Sequence, residues 1–491
     1  MKGSNTPNNT AASNSPPTNY WKEFRLKADK FMKKTQEHAI GEINPCGYYT
    51  AIWCRDASYI LRDWFLSGAN IDKILERLRL IWSHQITSSG EEKFIYGRGS
   101  PETKFESFVA NKYLHREFEG ALPTTIYHDK KNNFSEVYGQ NPDIDSTALM
   151  ISTTSWILDV LLKEPSLGDT GNHRLISTSI HRSSNPKLPS ANSTKEAIQS
   201  SSADLKSSST TKEKQRVILD YVIPRLRKGI DYLNSRDIDD DALLEQNHNE
   251  DWMDTVLRAG KIVYSQACWI LALKDFASVL TQVGRDSDAR HMIKLADETI
   301  SAVEHRLWSQ QDGCYIDVQE SHHIGGPYKT LTQDTSLYLI GITENTHDDK
   351  TKGTRYKSHI QTNDPREMRA KSTLDAIKSR IWKDKWPLIT EADLMSTGPW
   401  VLKPYFYHNH TFWPWATGIE MLARSRFDRV EECNILLSKL ASENEPHPHA
   451  FYEWVNPNTG KGDGAYPFRT GISAVRIAIA DIFWRNSQKN E

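Results

Sequence analysis

Cysteine is scarce and scattered in this sequence: Cys46, Cys54, Cys268, Cys314 and Cys433 form no CxxC pair and no Cys/His spacing. That excludes a disulfide framework and a zinc site, and leaves the thiols as small core hydrophobes suited to a reducing compartment. Net charge is also lacking. With 61 Lys and Arg against 63 Asp and Glu, no electrostatic footprint for nucleic acid or an anionic membrane is present, and neither partner is expected. No apolar run approaches a membrane span, and the polar stretch from Met1 to Pro17 has no signal-like apolar core. A soluble cytoplasmic protein is expected. Strand signals, too, are few and short.

Aromatic residues are abundant: 15 Trp, 19 Tyr and 15 Phe. Trp and Tyr are rigid and amphipathic, suited either to a large core or to a pocket that grips a flat sugar face. A length of 491 residues leaves the domain count open, so pattern has to decide it. Residues 1–17 read as a disordered tail and 166–212 as a disordered polar insertion, with a shorter surface loop at 345–367. The remainder, 18–488, reads as one domain. Amphipathic, charge-bearing helical segments are expected at 19–38, 71–86, 214–234, 285–306, 369–382 and 427–441. Between them lie more apolar segments at 56–67, 145–162, 262–280, 334–342, 411–424 and 470–486. One set has a wet face and the other is apolar nearly all round, as outer and inner layers would be. This alternation predicts an all-α chain of six helical hairpins.

Three inner segments open alike, with Asp56-Ala57-Ser58, Asp145-Ser146-Thr147 and Asp334-Thr335-Ser336. Asp in that place reads as a helix cap. Three such residues would also ring one end of the inner layer with acceptors for sugar hydroxyls. The loops at 249–261 and 405–411, rich in Trp, Asp, His and Asn, point to a pocket at the same N-terminal ends.

Several motifs carry a family resemblance. Trp252-Met253-Asp254 with Gly260-Lys261 through Gln266-Ala267 and Trp269, the run Tyr407-His408-Asn409-His410-Thr411 followed by Trp413-Pro414, and Trp53-Cys54-Arg55-Asp56 resemble the (α/α)6-barrel glycoside hydrolases. They are most similar to the glucosidase domain of glycogen debranching enzymes, of the amylo-alpha-1,6-glucosidase type, with trehalase-like and mannosylglycerate-hydrolase-like relatives. The likeness runs as scattered motifs from about 45 to 485. It implies an (α/α)6 toroid, an inverting mechanism and no cofactor. Three departures stand out: Cys54 where the family has Pro, His410 where it has Gly, and Tyr264 where it often has Glu.

The resemblance implies Asp254 as general acid, and Trp252 two residues away offers an apolar wall that would raise its pKa. A helix or turn cap is the competing role, and Asp251 and Glu250 are the neighbouring acids. Glu453, between Tyr452 and Trp454 and ahead of the Asn456–Gly460 turn, is the expected general base, or else an exposed turn residue. Trp53, Arg55, Asp56, Asp145, Asp251, Trp252, Lys261, Gln266, His408, Asn409 and Trp413 are the expected substrate contacts, with Arg55 and Asp56 alternatively a structural ion pair. Trp415 is expected in the core. His447-Pro448-His449 lacks a third metal ligand at a suitable spacing and reads as loop, so no metal is expected. The activity implied is hydrolysis of an α-linked glucoside. Its rivals are a sugar epimerase or isomerase using His408 and His410, and a carbohydrate-binding protein without turnover.

Overall fold

A computed structural model describes residues 18–39, 41–90, 93–96, 108–129, 131, 133–163, 211–256, 258–319, 328–343, 364–391, 402–442 and 447–489. Two sets of six helices alternate along it. The outward set comprises α1 (Thr18–Lys34), α3 (Ile71–Ser83), α5 (Thr211–Asn234), α7 (Asp286–Arg306), α9 (Pro365–Ala376) and α11 (Val430–Leu440). The inward set comprises α2 (Cys54–Leu66), α4 (Ile144–Lys163), α6 (Val263–Gln282), α8 (Ser336–Gly341), α10 (Pro414–Arg426) and α12 (Arg469–Lys489). These fall within a few residues of the segments expected from periodicity. The tail at 1–17 lies outside the described residues, as does the insertion up to residue 210 and the loop at 345–363. Helix α9 begins inside the stretch read as loop: the Asp364 side chain accepts from the Arg366 amide and Pro365 holds the first helical position. That Asp-Pro start is a legible helix signal.

The inward helices pack in a cycle: α2 against α4, α4 against α6, α6 against α8, α8 against α10, α10 against α12, and α12 back against α2. Composition explains their position. In α6, Val263 through Lys274 and Phe276, Ala277, Val279 and Leu280 are buried, because the segment has no face polar enough to leave in water. In α3, by contrast, only Ile74, Leu78, Ile81 and Trp82 are buried, a stripe at helical spacing. The five cysteines are free thiols, four of them buried. Among the described residues, no helix is long and apolar enough to cross a membrane.

The chain is helix-rich but not purely helical. Small sheets decorate the loops ahead of the inward helices, which corrects the all-α expectation. Strands β1 (Ile52–Trp53), β2 (Phe94–Tyr96), β3 (Phe108–Val109), β4 (Thr125–His128) and β5 (Asn133–Val137) form a sheet in the order β1-β4-β5-β2-β3. Here β1 runs antiparallel to β4, with Ile52 opposite Ile126. Strands β6 (Gly260–Lys261), β7 (Asp317–Gln319) and β8 (Tyr328–Thr330) form a second sheet in the order β8-β7-β6. A hairpin of β9 (Trp454–Val455) and β10 (Gly462–Asp463) precedes α12. Each strand has two to five residues, too short to show the alternation by which strands are read from sequence.

Candidate active site

The loops entering the inward helices meet over a cavity at their N-terminal ends. It is lined by Pro45, Tyr49, Trp53, Arg55, Asp56, Thr124, Tyr138, Asp143, Asn249, Asp251, Trp252, Asp254, Tyr407, Trp413, Trp415, Glu453, Phe468 and Thr470. Eight of the expected site residues share this lining: Trp53, Arg55, Asp56, Asp251, Trp252, Asp254, Trp413 and Glu453. The expected location of a pocket thus holds a cavity with both proposed catalytic acids in its wall.

Asp254 sits on the loop ahead of β6 and α6. Its side chain keeps 35% of its surface open toward the cavity, while its Oδ1 is shut from water and has no hydrogen-bond partner. Burial pushes its pKa up to about 7, opposed by Arg55 and reinforced by Glu453 and Asp251. A buried carboxyl with one oxygen unpartnered, facing other carboxylates, is stabilised in its protonated form. His408 Nδ1 lies 3.8 Å from Asp254 Oδ1, and burial and Arg55 hold that imidazole neutral, well below its usual pKa.

The loop carrying Asp254 is fixed from behind. The Trp252 indole packs edge-on against Trp415, His408 and Trp413, with centroids 4.5, 5.0 and 5.2 Å away. Its Nε1 donates to Asp334 Oδ2 at 2.7 Å, and its amide to Asp145 Oδ2 at 3.0 Å. Arg258, fully buried, binds Asp251 Oδ2 at 3.2 Å, Asp317 Oδ2 at 3.1 Å and Asp334 Oδ2 at 2.9 Å. One guanidinium thus bridges three carboxylates from three segments, which ties the Asp251–Asp254 loop to the segments of Asp317 and Asp334.

Glu453 is arranged oppositely. Its oxygens accept from the hydroxyls of Tyr49 (2.9 Å), Tyr48 (3.1 Å) and Tyr407 (3.4 Å) and from the Ala465 amide (2.8 Å). Burial raises its pKa, and the Ala465 amide, Tyr49 and Tyr48 counter the rise by donating to the ionised form. Its loop is anchored by mutual backbone bonds between Phe412 and Val455, at 3.1 and 2.8 Å, which tie it to the aromatic loop at 405–413. Gly464 makes the close approach feasible. A Cβ there would stand 2.5 Å from Glu453 Oε2, and the backbone has φ +76°, a conformation for which glycine is suited.

Several expectations need correction. Lys261 is turned away from the cavity: its ammonium sits among Asp239 (2.7 Å), Asp241 (2.5 Å) and Glu245 (3.3 Å), which satisfy its charge. Gln266 bridges the backbone of Leu244 through both amide atoms, at 2.9 and 2.8 Å, a structural tie. Asn409 donates to the Leu402 carbonyl at 2.9 Å and His408 shares a hydrogen bond with Thr255 at 2.7 Å. Both lie behind the lining. Asp145 lies behind it as well, fully buried, and takes hydrogen bonds from the Trp252 amide and the Tyr264 hydroxyl. None of Asp56, Asp145 and Asp334 caps its own helix. Asp56 accepts from Arg55 (2.8 Å) and Thr470 (2.5 Å), and Asp334 from Trp252 and Arg258; both substrate contact and ion pair are open to Arg55 and Asp56. The cap of α6 comes instead from Asp317, whose Oδ1 accepts from the Val263 amide at 2.9 Å. Trp415, expected in the core, is buried and also lines the cavity. Glu250 is held by Asn141, Asn247 and Arg236, outside the lining. His447 and His449 pack against rings, and His449, expected in a loop, opens a buried 3-10 turn, His449–Phe451.

The three sequence departures have local causes. The Cys54 amide donates to the Thr124 carbonyl at 3.1 Å, a bond proline cannot make. His410 has φ +60°, a geometry that favours glycine, and it is held by its amide on Thr390 Oγ1 and its Nδ1 on the Thr390 carbonyl. Tyr264 is buried, with its hydroxyl 3.2 Å from Asp145. The residues overlooked in the sequence are Tyr48, Tyr49, Asp143, Arg258 and Thr470. Tyr48 and Tyr49 stand in a Gly-containing turn just before the Trp53–Asp56 motif, which was the available signal. Asp143, Arg258 and Thr470 act through long-range contacts that no local pattern announces.

The helical fold is shared by solved structures. No family model matches the chain, and no curated protein matches it by sequence. Among the structures it resembles are the GH63 mannosylglycerate hydrolase from Thermus thermophilus in complex with glucose (TM-score 0.53) and in complex with Tris (TM-score 0.54). Each is 14% identical, with 94% of this chain and 100% of the other covered. An uncharacterized conserved protein from the same organism matches with TM-score 0.53 and 14% identity, covering 94% and 99% of the two chains. The likeness establishes the shared fold over nearly the whole length.

Proposed function

We propose that this chain is a glycoside hydrolase built as a single (α/α)6 toroid of six helical hairpins, spanning residues 18–488. Asp254 is the general acid and Glu453 the general base. The observation that carries this reading is the contrast between two carboxyls lining one cavity. Asp254 has an unpartnered buried oxygen and a pKa of about 7, whereas Glu453 is clasped by four donors. One environment favours the protonated acid and the other holds a carboxylate, which is the division of labour that glycoside cleavage needs.

In the reaction, Asp254 gives its proton to the glycosidic oxygen as the bond to the anomeric carbon breaks. Glu453 takes a proton from water as the water oxygen bonds to that carbon, and exchange with solvent restores both groups. Developing positive charge on the sugar is met by Asp56 and Asp251, both in the lining. Trp53, Trp252, Trp413 and Trp415 supply apolar faces for the ring. Water attack from the opposite face inverts the anomeric centre, which requires carboxyls about 6.5–9.5 Å apart. The substrate is an α-linked glucoside or a small α-glycoside. The family motifs support this substrate, and so does the fold shared with a mannosylglycerate hydrolase. The epimerase reading loses support, because His408 and His410 are both absent from the lining and bonded elsewhere.

The test is release of glucose or mannose from maltooligosaccharides, isomaltose, trehalose, glucosylglycerate and mannosylglycerate, with Asp254→Asn and Glu453→Gln as controls. Both variants should lose turnover while remaining folded, and the first-formed anomer, read by NMR, should be inverted. The pH profile of kcat/KM, which reports the free protein, should fall on the alkaline side near pH 7, where Asp254 loses its proton. Turnover that survives in Asp254→Asn would remove the assignment of the acid.

A further inference from the structure

Resting on Glu453 as the base, a second feature of the site assigns a role to Tyr48. A carboxylate offers about four lone-pair positions, and on Glu453 all are taken. Oε1 accepts from Tyr49 and Tyr407, and Oε2 from the Ala465 amide and Tyr48. A base must accept a hydrogen bond from the water it deprotonates, so one donor has to leave. Three are fixed. Tyr49 is packed against Trp53 at 5.5 Å and Phe468 at 6.5 Å, and Tyr407 against His408 at 4.2 Å and Trp413 at 5.2 Å. The Ala465 segment is tied back by the Glu453 amide donating to the Ala465 carbonyl at 3.1 Å.

Tyr48 differs from these. It is 64% exposed. It rides on a tight turn in which Cys46 and Gly47 have φ of 94° and 62°, closed by one bond from the Tyr49 amide to the Cys46 carbonyl. Its ring touches Tyr49, with centroids 4.6 Å apart, and its hydroxyl reaches Oε2 at 3.1 Å. We propose that the Tyr48 phenol is a displaceable stand-in for the nucleophilic water: it fills the seat on Glu453 Oε2 in the free protein and swings out when substrate brings water in. Tyr48 is a positioning residue, keeping the base ionised and correctly turned until the cavity fills.

Tyr48→Phe keeps the ring and removes the donor. Binding no longer has to displace a hydrogen bond, so KM and the Kd for glucose measured by calorimetry should both fall about fivefold, with kcat within about twofold of wild type. The acid limb of kcat/KM, which reports the free protein, should move to higher pH, because a donor to the ionised form is lost. The acid limb of kcat, which reports the complex, should stay in place, because the phenol has already left. In the comparison variant Tyr407→Phe, which lacks a fixed donor, both limbs should move. If both limbs move in Tyr48→Phe and kcat falls, the phenol stays on the base through turnover and the proposal is overturned. Unchanged affinity and unchanged limbs, in a protein that does turn over, sink the proposal alone. Absence of both turnover and glucose binding in the wild type would remove the hydrolase reading and this proposal together. If turnover is absent but glucose binds, the calorimetric comparison decides: tighter binding by Tyr48→Phe upholds displacement, and equal binding refutes it.

Discussion

Replacing Asp254 with Asn should make the protein more stable in alkali while abolishing its proposed activity. The folded protein holds the Asp254 proton more tightly than the unfolded chain does, with a pKa of about 7 against an ordinary value of 3.8. A raised carboxyl pKa means stability that is full below the unfolded value and declines as pH climbs from about 4 to about 7, where the folded group finally ionises. A rise of about three pH units corresponds to about 4 kcal/mol. A third of the side chain is accessible to solvent, which screens the ionised form, so about 2 kcal/mol is the appropriate expectation. At about 2.1 cal/mol/K of unfolding entropy per residue, a chain of 491 residues has about 1 kcal/mol/K. The variant should therefore melt about 2 °C above wild type at pH 8.5 and together with it at pH 4. Differential scanning calorimetry at the two pH values reads this directly. A variant that melts lower than wild type at pH 8.5, or by the same margin at both, would show that the carboxyl is not strained by burial and that the reasoning about the acid is wrong.

Two further outcomes follow from the same geometry. Gly464→Ala should cut turnover by on the order of a hundredfold with binding less affected, because the new methyl would stand only 2.5 Å from Glu453 Oε2 and push the side chain aside, and a displacement of about 1 Å at the proposed base costs that much; steady-state kinetics beside a melting curve separates this from unfolding. Lys261→Met should leave KM unchanged and lower the melting temperature, since the side chain is 6% exposed and its ammonium pairs with Asp239, Asp241 and Glu245 rather than touching the cavity; a rise in KM at constant stability would return Lys261 to the substrate site.

Helix positions were legible because they depend on periodicity, a local property. The apolar run through α6 and the stripe of Ile74, Leu78, Ile81 and Trp82 in α3 can be read from the order of residues, and so can the alternation of wet and dry helices. The small sheets were not legible, since a strand such as Ile52–Trp53 exists only through its pairing with Thr125 and Ile126, far along the chain. The same division holds within the site. Asp254 and Glu453 stand in aromatic, turn-bounded loops that mark them in the sequence. Lys261 and Gln266 shared a motif with Asp254, yet β6 and the start of α6 turn them to the far side, where Asp239, Asp241 and the Leu244 backbone receive them.

By itself, then, the amino-acid order determined the two helical layers, the loops that bear the acids and the end of the molecule where they meet. Each of these follows from which faces avoid water. The tertiary structure alone decided which Asp residues are caps, ion-pair partners or cavity lining, because a carboxylate's role is set by the donors that reach it from other segments. Arg258 from one loop, Thr470 from the last helix and Tyr48 and Tyr49 from the first turn are brought to those carboxylates only when the ring of inward helices closes.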